Sequence, residues 1–270
     1  MNIIINADDF GISENVNNVI IKMHQKGVLT SATIMAQGNA FDHAVSLAKE
    51  NPKLGIGVHL CLDGPYNMDN NYKSLINKDT GKFYSQSSIK KRLMLFRVIE
   101  SEIEKEYSLQ IQKVLDSNIH ISHLDHHHHI HLYLPALQAM IKAAKKFKIG
   151  SIRTQKLLSY NKKSLVNTIL RSFHHKIISD NFKCADAYLE SKIRSEAEFE
   201  LNYQRIENLF NRKYNTVEIV LHPVNDHDPE TVFFSSKRTE DLLNKVKLIN
   251  YNHLNKNVPL VRPTEETERA

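Results

Sequence analysis

The sequence predicts an α/β fold: a distorted or incomplete (β/α) barrel with a mainly parallel sheet, in a single domain. Three observations predict it. Short β-branched runs alternate with helix-period segments about seven times, the pattern of right-handed βαβ crossovers. The 270 residues show no composition break and no short repeat, and this length is ordinary for an α/β barrel. Five of the expected strands end in ionisable residues, and in such folds the active rim lies at the carboxyl ends of the strands. A doubly wound open sheet is the alternative architecture.

Taken in order, Ile3-Ile4-Ile5 reads as a buried parallel strand, apolar on both faces. Ser13 caps a helix that carries Val16, Val19, Ile20 and Met23 on one face and stops at Gly27. Val28–Ala36 reads as strand, Phe41–Glu50 as helix ended by Asn51-Pro52, and Gly55–Leu60 as strand. Residues 61–87 form a long polar loop with Gly64-Pro65 and Thr80-Gly81, and loops of that length in compact domains usually carry function. Its Tyr66 and Tyr72 either stack on the ring of a bound ligand or pack the loop. A helix over Ile89–Asp116 follows, its stripe of Phe96, Ile103 and Ile111 assigned to the core. Then come strand Ile119–Ser122, helix Pro135–Phe147 and strand Ile149–Arg153. A helix near 162–178, a strand near 182–188 and a helix near 196–212 lead to strand Thr216–Leu221. A last helix near 237–248 precedes a polar C-terminal tail at 262–270.

The net charge of +6 comes from lysines spread along helical segments, so it reads as a solvated surface and not as a nucleic-acid footprint. No run approaches 18 apolar residues, which argues against a membrane span. The start, MetAsnIleIleIleAsn, lacks the basic and apolar regions of a signal peptide. Two cysteines without a CxxC fit a reducing compartment. These features together lead to the expectation of a cytoplasmic protein. Fifteen histidines are the unusual count.

The candidate chemistry sits after the strands. Asn6, Asp8 and Asp9 follow the first, His59 the third, His123 to His131 the fourth, Arg153 the fifth and His222-Pro223 the last long one. Two adjacent carboxylates behind a buried strand need a counter-charge, which a divalent cation supplies; one then binds metal while the other stays free to take a proton. The stretch HisLeuAspHisHisHisHisIleHis at 123–131 is internal and continues a strand–loop–helix pattern, unlike an affinity tag. A site with an open position takes about three protein ligands, so other histidines there act as outer partners or touch substrate. Asp125 is a candidate to orient one imidazole. A mixed Asp and His set is hydrolytic in character. No GxSxG, Walker A or GxGxxG competes with it.

These residues resemble the YdjC-like family of carbohydrate deacetylases, the group that includes chitooligosaccharide deacetylases and hopanoid-associated relatives. The matching pieces are AsnAlaAspAspPheGlyIleSer (6–13), GlyValLeuThrSerAlaThrIleMet (27–35), GlyValHisLeu (57–60), SerHisLeuAspHisHisHisHisIleHis (122–131), IleArg (152–153) and LeuHisPro (221–223). The resemblance implies a distorted (β/α) barrel and one divalent metal held by Asp9, His59 and His127. It implies Asp8 as general base, His222 as general acid and Arg153 beside the base. Asp125, His123, His129 and His131 are left as outer partners or substrate contacts. The metal is magnesium by resemblance, while two imidazoles equally suit zinc, cobalt or manganese. The implied partners are an N-acetylated sugar and a second copy of the chain, a homodimer, with neither nucleic acid nor membrane.

Three positions depart from the family's pattern. His126 stands where a small residue is usual, Val224 follows HisPro in place of Gly or Ala, and Asp63 replaces a common Thr. None removes a ligand. The expected reaction is hydrolysis of the N-acetyl group of an amino sugar or chitooligosaccharide. A metal-dependent phosphoester hydrolase and a non-catalytic sugar-binding protein on the same scaffold are the competing functions.

Overall fold

A computed structural model of the chain describes residues 1–64, 67–158 and 165–254, with no side-chain description for 165–167. Tyr66 and the 262–270 tail lie outside the described residues. The sheet order is β6-β3-β2-β1-β8-β7, formed by β1 (Asn2–Phe10), β2 (Ser31–Ile34), β3 (Gly55–Leu60), β6 (Ile121–His126), β7 (Ala187–Glu190) and β8 (Thr216–Leu221). Every pairing in it is parallel. Short bridges, Leu124 to Ile152 and Ser151 to Lys183, link β6 through residues 151–152 towards the β7 side. The result is the distorted barrel expected, with one stave worn down to bridges. The predicted strand Ile149–Arg153 is that stave. It bonds on both sides (Leu124 N to Ser151 O, 3.0 Å; Lys183 N to Gly150 O, 2.9 Å) but is too irregular to form a ladder.

Helices α1 (Glu14–Gln25), α2 (Phe41–Glu50), α5 (Leu134–Lys146), α6 (Leu165–Ser179) and α7 (Phe199–Phe210) lie near their predicted spans. Ser13 caps α1 by accepting from Val16 N. The 61–87 loop carries a small hairpin, β4 (Ile76–Asn77) with β5 (Lys82–Phe83). Tyr72 is buried there and donates to Glu106 Oε2 at 2.6 Å. It therefore packs the loop and offers no face to a sugar.

The helix predicted over Ile89–Asp116 is two: α3 (Gln86–Met94) and α4 (Glu100–Asp116). Phe96, at φ +53, turns the chain between them, and it is 75% exposed, with Ile99 also exposed. A three-to-four spacing of apolar residues was thus satisfied by two helices that break inside the stripe, and Phe96 is not core. The last predicted helix is likewise shorter, α9 (Lys237–Leu243) followed by β9 (Lys247–Leu248), which pairs with β1. A further short helix, α8 (Pro229–Phe234), is capped by Asp228.

Candidate active site and metal centre

Adjacent residues on a regular strand face opposite sides. β1 breaks that rule where it matters. Its register against β2 shifts between Ala7 and Phe10, and Asp9 adopts φ +65, a local irregularity of the kind that re-aims a side chain. Both carboxylates consequently approach one imidazole: His59 Nε2 lies 3.3 Å from Asp9 Oδ1 and 3.9 Å from Asp8 Oδ2. His59 is the fifth residue of β3 and pairs in register with Asp125 of β6. Its Nδ1 faces Asp125 Oδ1 at 2.7 Å, which leaves Nε2 free for the cluster and fixes the ring's direction.

β6 is irregular near its start, where its register against β3 shifts between Ile121 and Leu124. His123 and Asp125 point into the barrel, and His126 points out, where its Nε2 meets the Tyr107 hydroxyl of α4 at 2.7 Å. The chain then enters a 3-10 turn, His127–Leu132, with His128 and His129 both at left-handed φ near +54 and +53. Three consecutive imidazoles are dealt by this turn to three carboxylates. His127 Nδ1 stands 3.0 Å from Asp9 Oδ1, His128 Nδ1 2.6 Å from Asp63 Oδ2, and His129 Nε2 3.5 Å from Glu190 Oε1 at the end of β7.

Asp9 Oδ1, His59 Nε2 and His127 Nδ1 form a triangle with edges of 3.0, 3.3 and 3.2 Å. Ligands about 2.1 Å from one ion stand about 3.0–3.4 Å apart at octahedral or tetrahedral angles, so the donor set fits a single divalent cation. Asp9 Oδ1 is buried and makes no well-directed hydrogen bond to either imidazole, as expected of an atom meant for an ion. Two histidines and one carboxylate also form the set that binds a metal on one face and leaves positions open. Electrostatics agree. Burial should depress the basicity of His59, yet Asp125 and Asp8 outweigh it and hold the imidazole well above its ordinary pKa. The field that draws a proton to this point would draw a cation.

Asp8, farther from His59 than Asp9 is, belongs to a buried charge cluster. Arg153, fully buried, forks onto both its oxygens at 2.9 and 2.7 Å and also reaches Asp125 at 2.8 Å and Glu218 at 2.9 Å. Burial would raise the Asp8 carboxyl, but Arg153 and then His59 hold it far below the ordinary carboxylate range. Asn6 donates to Asp8 Oδ1 at 2.9 Å, and Thr33 Oγ1 lies 3.0 Å from Asp125 Oδ2. His222, just past β8, places Nε2 3.6 Å from Asp8 Oδ2 with its side chain 42% exposed, and its backbone N–H donates to Glu230.

The structure therefore brings Asp8, Asp9, His59, Asp125, His127, Arg153 and His222 together. His123 lies deeper, stacked on Tyr251 at 3.6 Å between centroids. His131 is buried beside His126 and His129, with centroids 5.8 and 6.2 Å away, and among the described residues neither of its nitrogens has a hydrogen-bond partner. Sequence reasoning missed Thr33, Glu218, Tyr251 and Glu190. Glu218 had a readable signal: it is the lone charge inside the apolar run ThrValGluIleValLeu. Tyr251 had none. Both cysteines are free, and among the described residues no helix is long and apolar enough to cross a membrane.

Comparison with known proteins adds three findings. The sequence pattern of the family described as YdjC-like protein matches residues 2–255. A carbohydrate deacetylase of Brevibacillus brevis is 30% identical over 92% of this chain and 91% of its own. One of Oceanobacillus iheyensis is 33% identical over 72% and 82%. Among solved structures, an Enterococcus faecalis protein provisionally described as a cellobiose-phosphate cleavage protein superposes with a TM-score of 0.78 at 24% identity, covering 94% of this chain and 98% of that one. That likeness establishes the shared fold.

Proposed function

The chain belongs to the YdjC-like protein family, and on that premise we propose that it is a metal-dependent carbohydrate deacetylase that removes the N-acetyl group from an amino sugar or chitooligosaccharide. The observation that carries the reading is the triangle of Asp9, His59 and His127 set against a separate, arginine-paired carboxylate, Asp8. Curated relatives named carbohydrate deacetylase supply the substrate class.

Asp9, His59 and His127 would hold the ion. When bound, it supplies Lewis-acid polarisation of the amide carbonyl and makes water more acidic. Asp8, kept ionised by Arg153, accepts the proton of the attacking water at Oδ2. His222, 3.6 Å from that oxygen and partly open to solvent, gives a proton to the departing amine nitrogen, which would otherwise be a poor leaving group. Acetate and the free amino sugar result, with atoms and protons balanced. Asp125 holds His59 in the tautomer that presents Nε2. The ion is read as magnesium by resemblance, with zinc, cobalt and manganese served by the same donors. The protein acts in the cytoplasm, as a homodimer.

Incubation with N,N′-diacetylchitobiose, with and without chelator, tests this. Acetate release that chelation abolishes is the expected result. Release of phosphate from a generic ester would favour the phosphoesterase reading, and neither product would favour a sugar-binding role.

A further inference from the structure

Arg153 has no freedom. A guanidinium carries five N–H donors in one plane, and every nitrogen of this one meets carboxylate oxygen within 2.9 Å. Nη1 faces Asp8 Oδ2 and Asp125 Oδ2. Nη2 faces Asp8 Oδ1 at 2.7 Å and Glu218 Oε1 at 2.9 Å. Nε donates to the same Glu218 oxygen at 2.9 Å. Asp8 thus grips one edge of the plane and Glu218 the other.

Glu218 is the third residue of β8, in register with Ile4 of β1 and fully buried. Its second oxygen accepts from the Tyr251 hydroxyl at 2.6 Å. Tyr251 stands on the 3-10 turn Tyr251–His253 beyond β9, itself buried, its ring lying 8° from the plane of His123. The phenol cannot shift without unstacking. Charge balance does not explain Glu218, because Asp8 and Asp125 already more than neutralise the single guanidinium. Orientation does.

We propose that Glu218, held by Tyr251, is a positioning residue for Asp8: by fixing the far edge of the Arg153 guanidinium it sets the plane of the carboxylate that receives the proton. This rests on the reading of Asp8 as the base. A bidentate pair is directional, so a guanidinium released at one edge tilts Asp8 Oδ2 away from its place between His59 and His222. A misplacement of about 1 Å costs on the order of 10²-fold in rate. The C-terminal segment that carries Tyr251 is then part of the catalytic architecture.

Two near-isosteric variants test it in the metal-loaded protein. Glu218→Gln keeps size and an acceptor but removes the charge; Tyr251→Phe keeps the stack and removes the hydroxyl. We expect Glu218→Gln to lower kcat for N,N′-diacetylchitobiose by roughly 10- to 100-fold and Tyr251→Phe to lower it less, with KM within about twofold of wild type. A second readout is independent of turnover. Proton–nitrogen NMR of the guanidinium, assigned with Arg153→Lys, should show hindered, resolved Nη signals in the wild type and averaged ones in Glu218→Gln. Should that variant not fold, Tyr251→Phe carries both measurements. Unchanged kcat with unchanged Arg153 signals overturns the proposal, as does a loss in which kcat, KM and thermal stability fall together. A wild type that releases no acetate would instead defeat the reading of the site, and the NMR comparison would still judge the positioning claim.

Discussion

Asp8→Asn removes a charge while keeping the shape, and the proposed mechanism makes that charge the acceptor of the water proton. Turnover should drop by about 10²-fold or more, with metal affinity largely retained because Asp8 is outside the ligand triangle. Asp125→Asn should weaken metal binding as well as turnover, because Asp125 pairs both with the imidazole of His59 and with Arg153. Loss of such an outer carboxylate on an imidazole typically costs about 10- to 100-fold in metal affinity, measured by competition with a chromophoric chelator. The residues of the site were legible in unequal degree. Asp8, Asp9, His59 and Arg153 stand where the apolar runs of the sequence end and could be read from position. Thr33 and Glu218 lie inside strands, where side-chain direction depends on sheet register, and a single sequence does not state the register. Within the histidine run, only the left-handed backbone at His128 and His129 explains why each neighbour takes a different carboxylate, and nothing in the composition announces that turn.

β3 and β6 approach closely enough to impose a glycine. A Cβ on Gly57 would stand 2.5 Å from His123 Cε1 and 2.7 Å from Thr33 Cγ2, so Gly57→Ala overpacks the barrel interior and should lower stability by about 1–3 kcal/mol in urea unfolding. The histidines of β6 and the turn after it impose an acid limit. Burial drives His126 down to about 3 and also lowers His123, His129 and His131. Unfolded imidazoles take up protons near pH 6.5 while these folded ones resist, so their stabilisation is present above about 6.5 and is lost as pH falls below it. His59, shifted upward, works in the opposite direction, one group against four. Unfolding free energy should therefore begin to decline near pH 6.5, ahead of the carboxylate range; a value flat to pH 5 would contradict this. At this scale most strands and helices were readable because their apolar periods are clean. The break at Phe96 and the worn stave at 149–153 were not, since tertiary packing decides whether a good local pattern becomes a regular element.

The whole molecule is organised around a charge imbalance that its fold conceals. Asp8, Asp125 and Glu218 converge from β1, β6 and β8 on one guanidinium, and Asp9 stands beside them against His59, so carboxylates outnumber the arginine that pairs them. Burying unpaired charge is expensive, and the proposed divalent cation would relieve that cost at the place where the carboxylates gather. The alternation of strand and helix made the meeting of Asp8, Asp9, His59, Asp125 and Arg153 legible, because parallel strands deliver their carboxyl ends to one rim; Glu218, inside β8, was not legible that way. The identity of the ion was not legible, since the donor set serves several metals. Crystals soaked in manganese or zinc and measured at the metal's absorption edge test the account most directly. One strong anomalous peak is expected, bonded to Asp9 Oδ1, His59 Nε2 and His127 Nδ1 and lost in His59→Asn. An ion bound elsewhere, or none at this triangle at saturating metal, would contradict it.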